Sequence, residues 1–229
     1  MKTMPIRILP SILAADMANL EADCRRALAG AADGLHVDIM DGHFVPNLSM
    51  GPAVVAALRR ALGADIWLHV HLMVERPDRY VEPFIKAGAN TVLIHIESAG
   101  DIPATLQTIR ERGARPGITL NPATPAAALD DVMGEALAEE ILCMTVVPGF
   151  GGQSFMPEVL PKIAALRHRW PHIDISVDGG IDSETALACA AHGANVLLAG
   201  TSLFGATDLA GTLQAMRKGC AAVYGQELA

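Results

Sequence analysis

The chain has 229 residues, is 51% hydrophobic and only 4% aromatic, and carries a formal net charge of −8. That charge argues against a nucleic-acid or anionic-membrane surface, which needs clustered lysine and arginine, and no uncharged apolar stretch is long enough to span a bilayer. The opening residues MKTMPIRILPS hold a short apolar run broken by Pro5 and Pro10, so no signal peptide is expected. Cys24, Cys143, Cys189 and Cys220 lie far apart without a CxxC pair, so reduced core thiols and a cytoplasmic protein are expected.

Apolar runs of strand length alternate with amphipathic helical stretches from end to end. Strands are predicted over 7–11, 35–40, 66–73, 91–96, 115–120, 140–146, 173–178 and 195–200. Between them lie helical patterns such as DMANLEADCRRALAG, PDRYVEPFIKAG, PATLQTIRERG and SETALACAAHG. Many open on Asp, Ser or Pro and close on Gly, as helix ends prefer. A quasi-repeat marks the joints: AGAAD (29–33), AGAN (87–90), RGAR (112–115) and HGAN (192–195) each sit just before a strand. Eight strands and eight helices in strict alternation, without a linker, predict a single (β/α)8 TIM barrel of the α/β class over residues 1–229. An open doubly wound sheet is disfavoured, since no GxGxxG follows the first strand. In a barrel, functional groups gather at the C-terminal ends of the strands and in the loops that follow.

The second strand ends in HVDIMDGHFVPN, where His36, Asp38 and Met40 alternate with Val37 and Ile39. Successive side chains of a strand face opposite sides, so the polar set shares one face. The third strand repeats the pattern with Trp67, His69, His71 and Met73, and the seventh with Asp174, Ser176 and Asp178. The all-apolar faces should pack on helices, leaving His36, Asp38, His71 and Asp178 inside the barrel near its C-terminal rim. Two buried carboxylates are costly unless paired. The only lysines, Lys2, Lys86, Lys162 and Lys218, avoid the strands, and most arginines fall in helices. One divalent cation is the simplest compensation, and nitrogen with oxygen ligation suits Zn²⁺, Fe²⁺, Mn²⁺ or Co²⁺. A lone inward histidine is more often a hydrogen-bonded core residue than a ligand, and His69 is a candidate for that role. Met40, Met73 and Met144 would line the site as a polarizable apolar lid, although such residues are commonly plain core.

Glycines supply the second half of the pattern. VVPGFGGQSF (146–155) follows the sixth strand, DGGI (178–181) the seventh and AGTSLFG (199–205) the eighth. Such loops let backbone N–H groups approach an anion, and barrels often bind phosphate in this sector. No adjoining Lys-Ser/Thr makes a nucleotide loop. The ligand implied is a small phosphorylated molecule.

PSILAADMANL, HVDIMDGHFVPNLSMGP, HLMVERPDRY, LNPATP, MTVVPGFGGQSF and VDGGI together resemble the ribulose-phosphate 3-epimerase family, in the same order from Pro10 to about Gly205. The resemblance implies a metal-dependent isomerase of pentose phosphate metabolism, interconverting D-ribulose 5-phosphate and D-xylulose 5-phosphate, without an organic cofactor and as a homo-oligomer. It implies His36, Asp38, His71 and Asp178 as metal ligands, Asp38 as proton acceptor and Asp178 as proton donor. It further implies that Ser11 and His71 contact substrate. Gly149, Phe150, Gly151, Gly152, Gly179, Gly180, Gly200 and Thr201 would hold the phosphate end. His69 stands where an Asp is usual, Val147 where a polar residue is usual and Ser176 where a Glu is usual. HIES (95–98) replaces the frequent HPEA. None of these departures replaces one of the four ligands, but His69 and Ser176 change the surroundings on two ligand-bearing strands and so bear on metal preference.

Epimerisation at C3 removes the proton beside the C2 ketone and returns one on the opposite face, so two bases from separated strands suit it. An epimerase for a six-carbon analogue, allulose 6-phosphate, would use the same site. A non-catalytic phosphate-binding barrel would leave two inward Asp unexplained. A Schiff-base aldolase would need an inward lysine, and no predicted strand carries one.

Overall fold

Eight strands form where the apolar runs predict them: β1 Arg7–Pro10, β2 Gly34–Met40, β3 Trp67–Met73, β4 Thr91–His95, β5 Arg115–Leu120, β6 Glu140–Met144, β7 Asp174–Asp178 and β8 Val196–Ala199. The computed structural model describes residues 4–228, so Lys2 lies outside the described residues. All neighbouring strands are parallel, in the order β1-β8-β7-β6-β5-β4-β3-β2. An isolated parallel bridge between Ser11 and His36 joins the two ends of the sheet. The barrel thus closes at the rim where the polar residues were predicted.

The helices between the strands are α1 Leu20–Ala29, α2 Pro52–Leu62, α3 Val81–Ala87, α4 Ile102–Glu111, α5 Asp130–Gly134, α6 Leu160–Arg169 and α7 Ser183–Ala191, with α8 Thr201–Phe204 and α9 Leu209–Val223 after β8. Their starts follow the sequence signals. Pro52 opens α2 behind Gly51. The Asp182 side chain accepts from the backbone N–H groups of Glu184 and Thr185 to cap α7. Among the described residues one α-helix follows each strand except β8, which is followed by two. The β5–β6 connection has one 3-10 turn and the five-residue α5, and the β8 connection divides into α8 and α9 around Gly205. The joint at 29–33 also differs from its siblings. The left-handed residue there is Ala31 (φ 69°), while Gly30 has φ −77°. A Cβ on Gly30 would lie 3.1 Å from Ala210 Cα, so this glycine permits close approach of α9.

Alternation along the strands divides the core into two layers. Leu35, Val37, Ile39, Leu68, Val70 and Leu72 pack outward against the helices. Leu9, Leu93, Leu142, Met144, Val196 and Leu198 fill the barrel interior. Below them sits a charged layer: Arg7 and Arg115 both reach Asp174 Oδ2, at 2.8 and 2.6 Å, and Arg115 also lies 3.2 Å from Glu140. These arginines compensate carboxylates at the N-terminal end of the barrel, away from the rim. All four cysteines are buried and free. No helix among the described residues is long and apolar enough to cross a membrane.

Candidate active site

The β2–β3 register sets Asp38 beside His71 and His36 beside His69, while β7 brings Asp178 from another sector of the barrel. One potential ligand atom from each of His36, Asp38, His71 and Asp178 falls in a group whose members all lie within 4.8 Å of one another. His36 Nε2 is 3.0 Å from Asp38 Oδ1 and 3.8 Å from Asp178 Oδ2. His71 Nδ1 is 3.2 Å from Asp38 Oδ1 and 3.8 Å from Asp178 Oδ2. Among the described residues, no lysine or arginine nitrogen comes within 4 Å of either aspartate. Two imidazoles and two carboxylates, converging without another cation, fit a divalent metal by the chemistry of the donor set.

The two aspartates are electrostatically unlike. Burial raises both, but hydrogen bonds and charge from His36 and His71 outweigh it at Asp38 and hold that carboxyl well below its usual range. At Asp178 burial and the Asp38 charge act together and push it up to about 7. Burial drives His71 down to about 3, whereas the surrounding carboxylates outweigh burial at His36 and raise it. Ser11 Oγ donates to Asp38 Oδ2 at 2.6 Å, which fixes the orientation of that carboxylate.

A cavity of about 860 Å³ opens above this group. Ser11, Asp38, Met40, Met73, Met144, Gly149, Phe150, Gly151, Gly152, Asp178, Gly179, Gly180, Gly200 and Thr201 all line it, while His36 and His71 lie buried among the aspartates at its floor. The sequence-predicted set therefore converges on one place. Met40 and Met73 pack with Val45, Leu13 and Phe44 into a small apolar cluster on the wall, and Met144 belongs to the barrel interior. The glycine loops adopt conformations closed to most residues: φ is +134° at Gly149, +73° at Gly152, +111° at Gly179 and +64° at Gly180. A Cβ at Gly180 would fall 2.6 Å from the Phe155 nitrogen. Gly151 has open space around its Cβ position and no positive φ, so the fold does not require glycine there.

Several contributing residues escape a sequence reading, whereas His69 is the buried, hydrogen-bonded core histidine expected. Asn47 Nδ2 donates to Gly149 O at 2.8 Å and ties the β2 loop to the glycine loop, which Gln153 Nε2 braces through Val147 O and Phe150 O. Ser202 donates to Ile181 O and ties the last two loops together. Beneath the ligand histidines, His69 and His95 contact His36 and His71, and Glu140 and Glu97 contact those in turn. Inward parity of Thr91, Leu93 and His95 was the available signal for His95, and of Glu140, Leu142 and Met144 for Glu140.

A family model described as the Ribulose-phosphate 3 epimerase family matches residues 7–204. A ribulose-phosphate 3-epimerase, cytoplasmic isoform, of Oryza sativa subsp. japonica is 46% identical, covering 93% of this chain and 93% of its own. Ribulose-phosphate 3-epimerases of Bacillus subtilis and Escherichia coli K12 are each 43% identical, covering 89% and 94% of this chain and 94% and 96% of their own. Among solved structures, 3-hexulose-6-phosphate synthase from Salmonella typhimurium superposes with a TM-score of 0.72 at 15% identity, over 96% of this chain and all of that one. For 3-keto-L-gulonate-6-phosphate decarboxylase from Vibrio cholerae the TM-score is 0.73 at 14% identity, over 97% of this chain and all of that one. At such identities the likeness is one of fold.

Proposed function

The chain belongs to the ribulose-phosphate 3-epimerase family, and from that premise we propose how its own residues epimerise a pentulose phosphate at C3. It is an isomerase interconverting D-ribulose 5-phosphate and D-xylulose 5-phosphate. The observation that carries the mechanism is the convergence of Asp38 and Asp178, two carboxylates from separated strands, on one cavity. Two carboxylates that reach one substrate from separated strands supply the acid and the base that C3 epimerisation needs.

His36, Asp38, His71 and Asp178 would hold one divalent ion, with Zn²⁺, Fe²⁺, Mn²⁺ and Co²⁺ all compatible with the donors. When bound, the ion supplies Lewis-acid stabilisation of the negative charge that develops on the ketose oxygens. Asp38, ionised and oriented by Ser11, takes the C3 proton from one face. Asp178 delivers a solvent-derived proton to C3 on the other face, and Asp38 loses its proton to solvent before the next turnover. In the reverse direction the two exchange roles. Met40, Met73 and Met144 are each at most 5% exposed and keep water from the carbanionic carbon. No organic cofactor takes part.

The phosphate end lies against Gly149 to Gly152, Gly179, Gly180, Gly200 and Thr201. No lysine or arginine lines the cavity among the described residues, so backbone amides do the holding. Assembly as a homo-oligomer and a cytoplasmic location belong to the same proposal. The test is kcat/KM for D-ribulose 5-phosphate beside its six-carbon analogue allulose 6-phosphate, on protein of measured metal content. The pentulose should be preferred, and a clear preference for the hexulose would overturn the assignment.

A further inference from the structure

Each ligand histidine turns its second nitrogen away from the cavity onto another histidine, and each of those ends on a glutamate. His36 Nδ1 is 2.7 Å from His69 Nδ1, and His69 Nε2 is 2.8 Å from Glu140 Oε1. His71 Nε2 is 2.8 Å from His95 Nε2, and His95 Nδ1 is 3.1 Å from Glu97 Oε2. His36, His69, His71, His95 and Glu140 are all fully buried. Trp67 packs edge-on against His69, with ring centroids 5.4 Å apart, and Phe44 lies 4.6 Å over His95.

We infer that Glu140 and His69 are positioning residues that fix the tautomer and ring orientation of His36, so that in the neutral ring the Nε2 lone pair faces the metal position. The inference rests on the reading of His36 as a ligand, and counting protons carries it further. A lone pair on His36 Nε2 leaves the ring's one proton on Nδ1. Two N–H groups cannot meet at 2.7 Å, so His69 Nδ1 is the acceptor and the His69 proton sits on Nε2. That nitrogen faces Glu140, a carboxylate that only accepts while ionised. Every contact from His36 Nδ1 down to Glu140 is then satisfied by one assignment, and His36 Nε2 beside Asp38 Oδ1 is left for a cation.

The same count through Glu97 and His95 places the His71 proton on Nε2 and frees Nδ1, the nitrogen that faces the aspartates. The two ligands thus present opposite ring nitrogens, Nε2 and Nδ1, and each relay selects the right one. A carboxylate behind a ligand imidazole also strengthens it as a donor. Glu140 is held from behind by Arg115 at 3.2 Å, so the relay runs from the charged layer at the barrel floor to the active site.

Zn²⁺ affinity, read by competition with a chromophoric chelator, tests the inference without reference to turnover. The double variant His69→Leu/Glu140→Leu removes the acceptor for His36 Nδ1–H without stranding a buried charge, and should bind Zn²⁺ roughly 10–100-fold more weakly. Glu140→Gln keeps an oxygen for His69 Nε2–H and should lie between parent and double variant. In Zn²⁺-loaded, ¹⁵N-histidine-labelled parent protein, the His36 proton should appear on Nδ1 and be protected from solvent exchange. That protection should be lost in the double variant, an effect that a purely space-filling role for His69 would not produce. If His36→Ala weakens Zn²⁺ binding while the double variant binds like the parent, the relay is overturned and the ligand reading stands. If His36→Ala itself binds like the parent, both fall.

Discussion

His36 stands between the two aspartates, with Nε2 at 3.0 Å from Asp38 Oδ1 and 3.8 Å from Asp178 Oδ2. One imidazole nitrogen therefore faces both carboxylates, and protons compete with a cation for the same small volume.

That competition gives the metal site a pH dependence of known sign. Burial and the Asp38 charge hold a proton on Asp178 up to about pH 7, and the nearby carboxylates raise His36. A ligand binds metal only when deprotonated, so uptake must displace these protons. Zn²⁺ binding should weaken as pH falls through 7 and should release protons near neutrality. Calorimetry in two buffers of different ionisation heat measures that release; affinity flat between pH 6 and 8 would contradict it.

Replacing either aspartate separates the two bases. Asp38→Asn and Asp178→Asn should each lower turnover by at least the ~10²–10⁴-fold typical of a lost proton-transfer group. A variant that keeps one base should still exchange the C3 proton with solvent from one face. NMR in deuterated solvent detects this, and near-normal epimerisation by either variant would refute the scheme.

The glycine loop admits a clean test because Gly151 has room for a side chain. Gly151→Val should leave thermal stability unchanged and raise KM for the sugar phosphate, since the new side chain blocks approach to the loop amides. Asn47→Ala, which frees Gly149 O from its brace, should raise KM less. An unchanged KM in Gly151→Val would place the phosphate elsewhere.

Glu140 links the relay to acid stability. Burial would raise its carboxyl, but His69 and Arg115 outweigh burial and lower it to about 2 from an ordinary 4.5. At pH 7 the group is ionised in both folded and unfolded chains, and its full contribution is present. As pH falls below 4.5 the unfolded chain takes up the proton first, and the contribution is gone once pH passes through about 2. Urea unfolding should show Glu140→Gln less stable than the parent at pH 7, with the gap narrowing by pH 3. A gap independent of pH would remove the ionic part of the argument.

Much of this was legible in the chain because two simple periods carry it. Alternation in HVDIM, WLHVHLM and DISVD puts His36, Asp38, His71 and Asp178 on the inner face, and parallel pairing then brings them together. What alternation does not show is which inward residues from distant strands meet. Parity with Leu142 and Met144 turns Glu140 inward, but only the closed barrel brings it to His69. Arg7 and Arg115 meet Asp174 for the same reason. Loop braces such as Asn47 depend on two loops a hundred residues apart in sequence and leave no periodic trace.

The most direct test of the whole account follows one hydrogen. D-ribulose 5-phosphate is epimerised in deuterated water by metal-loaded protein and by the same preparation after chelation, and C3 of substrate and product is read by NMR and mass spectrometry. The account predicts that D-xylulose 5-phosphate formed by the loaded protein carries one solvent deuterium at C3, and that the chelated protein forms none until a divalent ion is restored. Product retaining the original C3 proton, or full turnover in demonstrably metal-free protein, would contradict it.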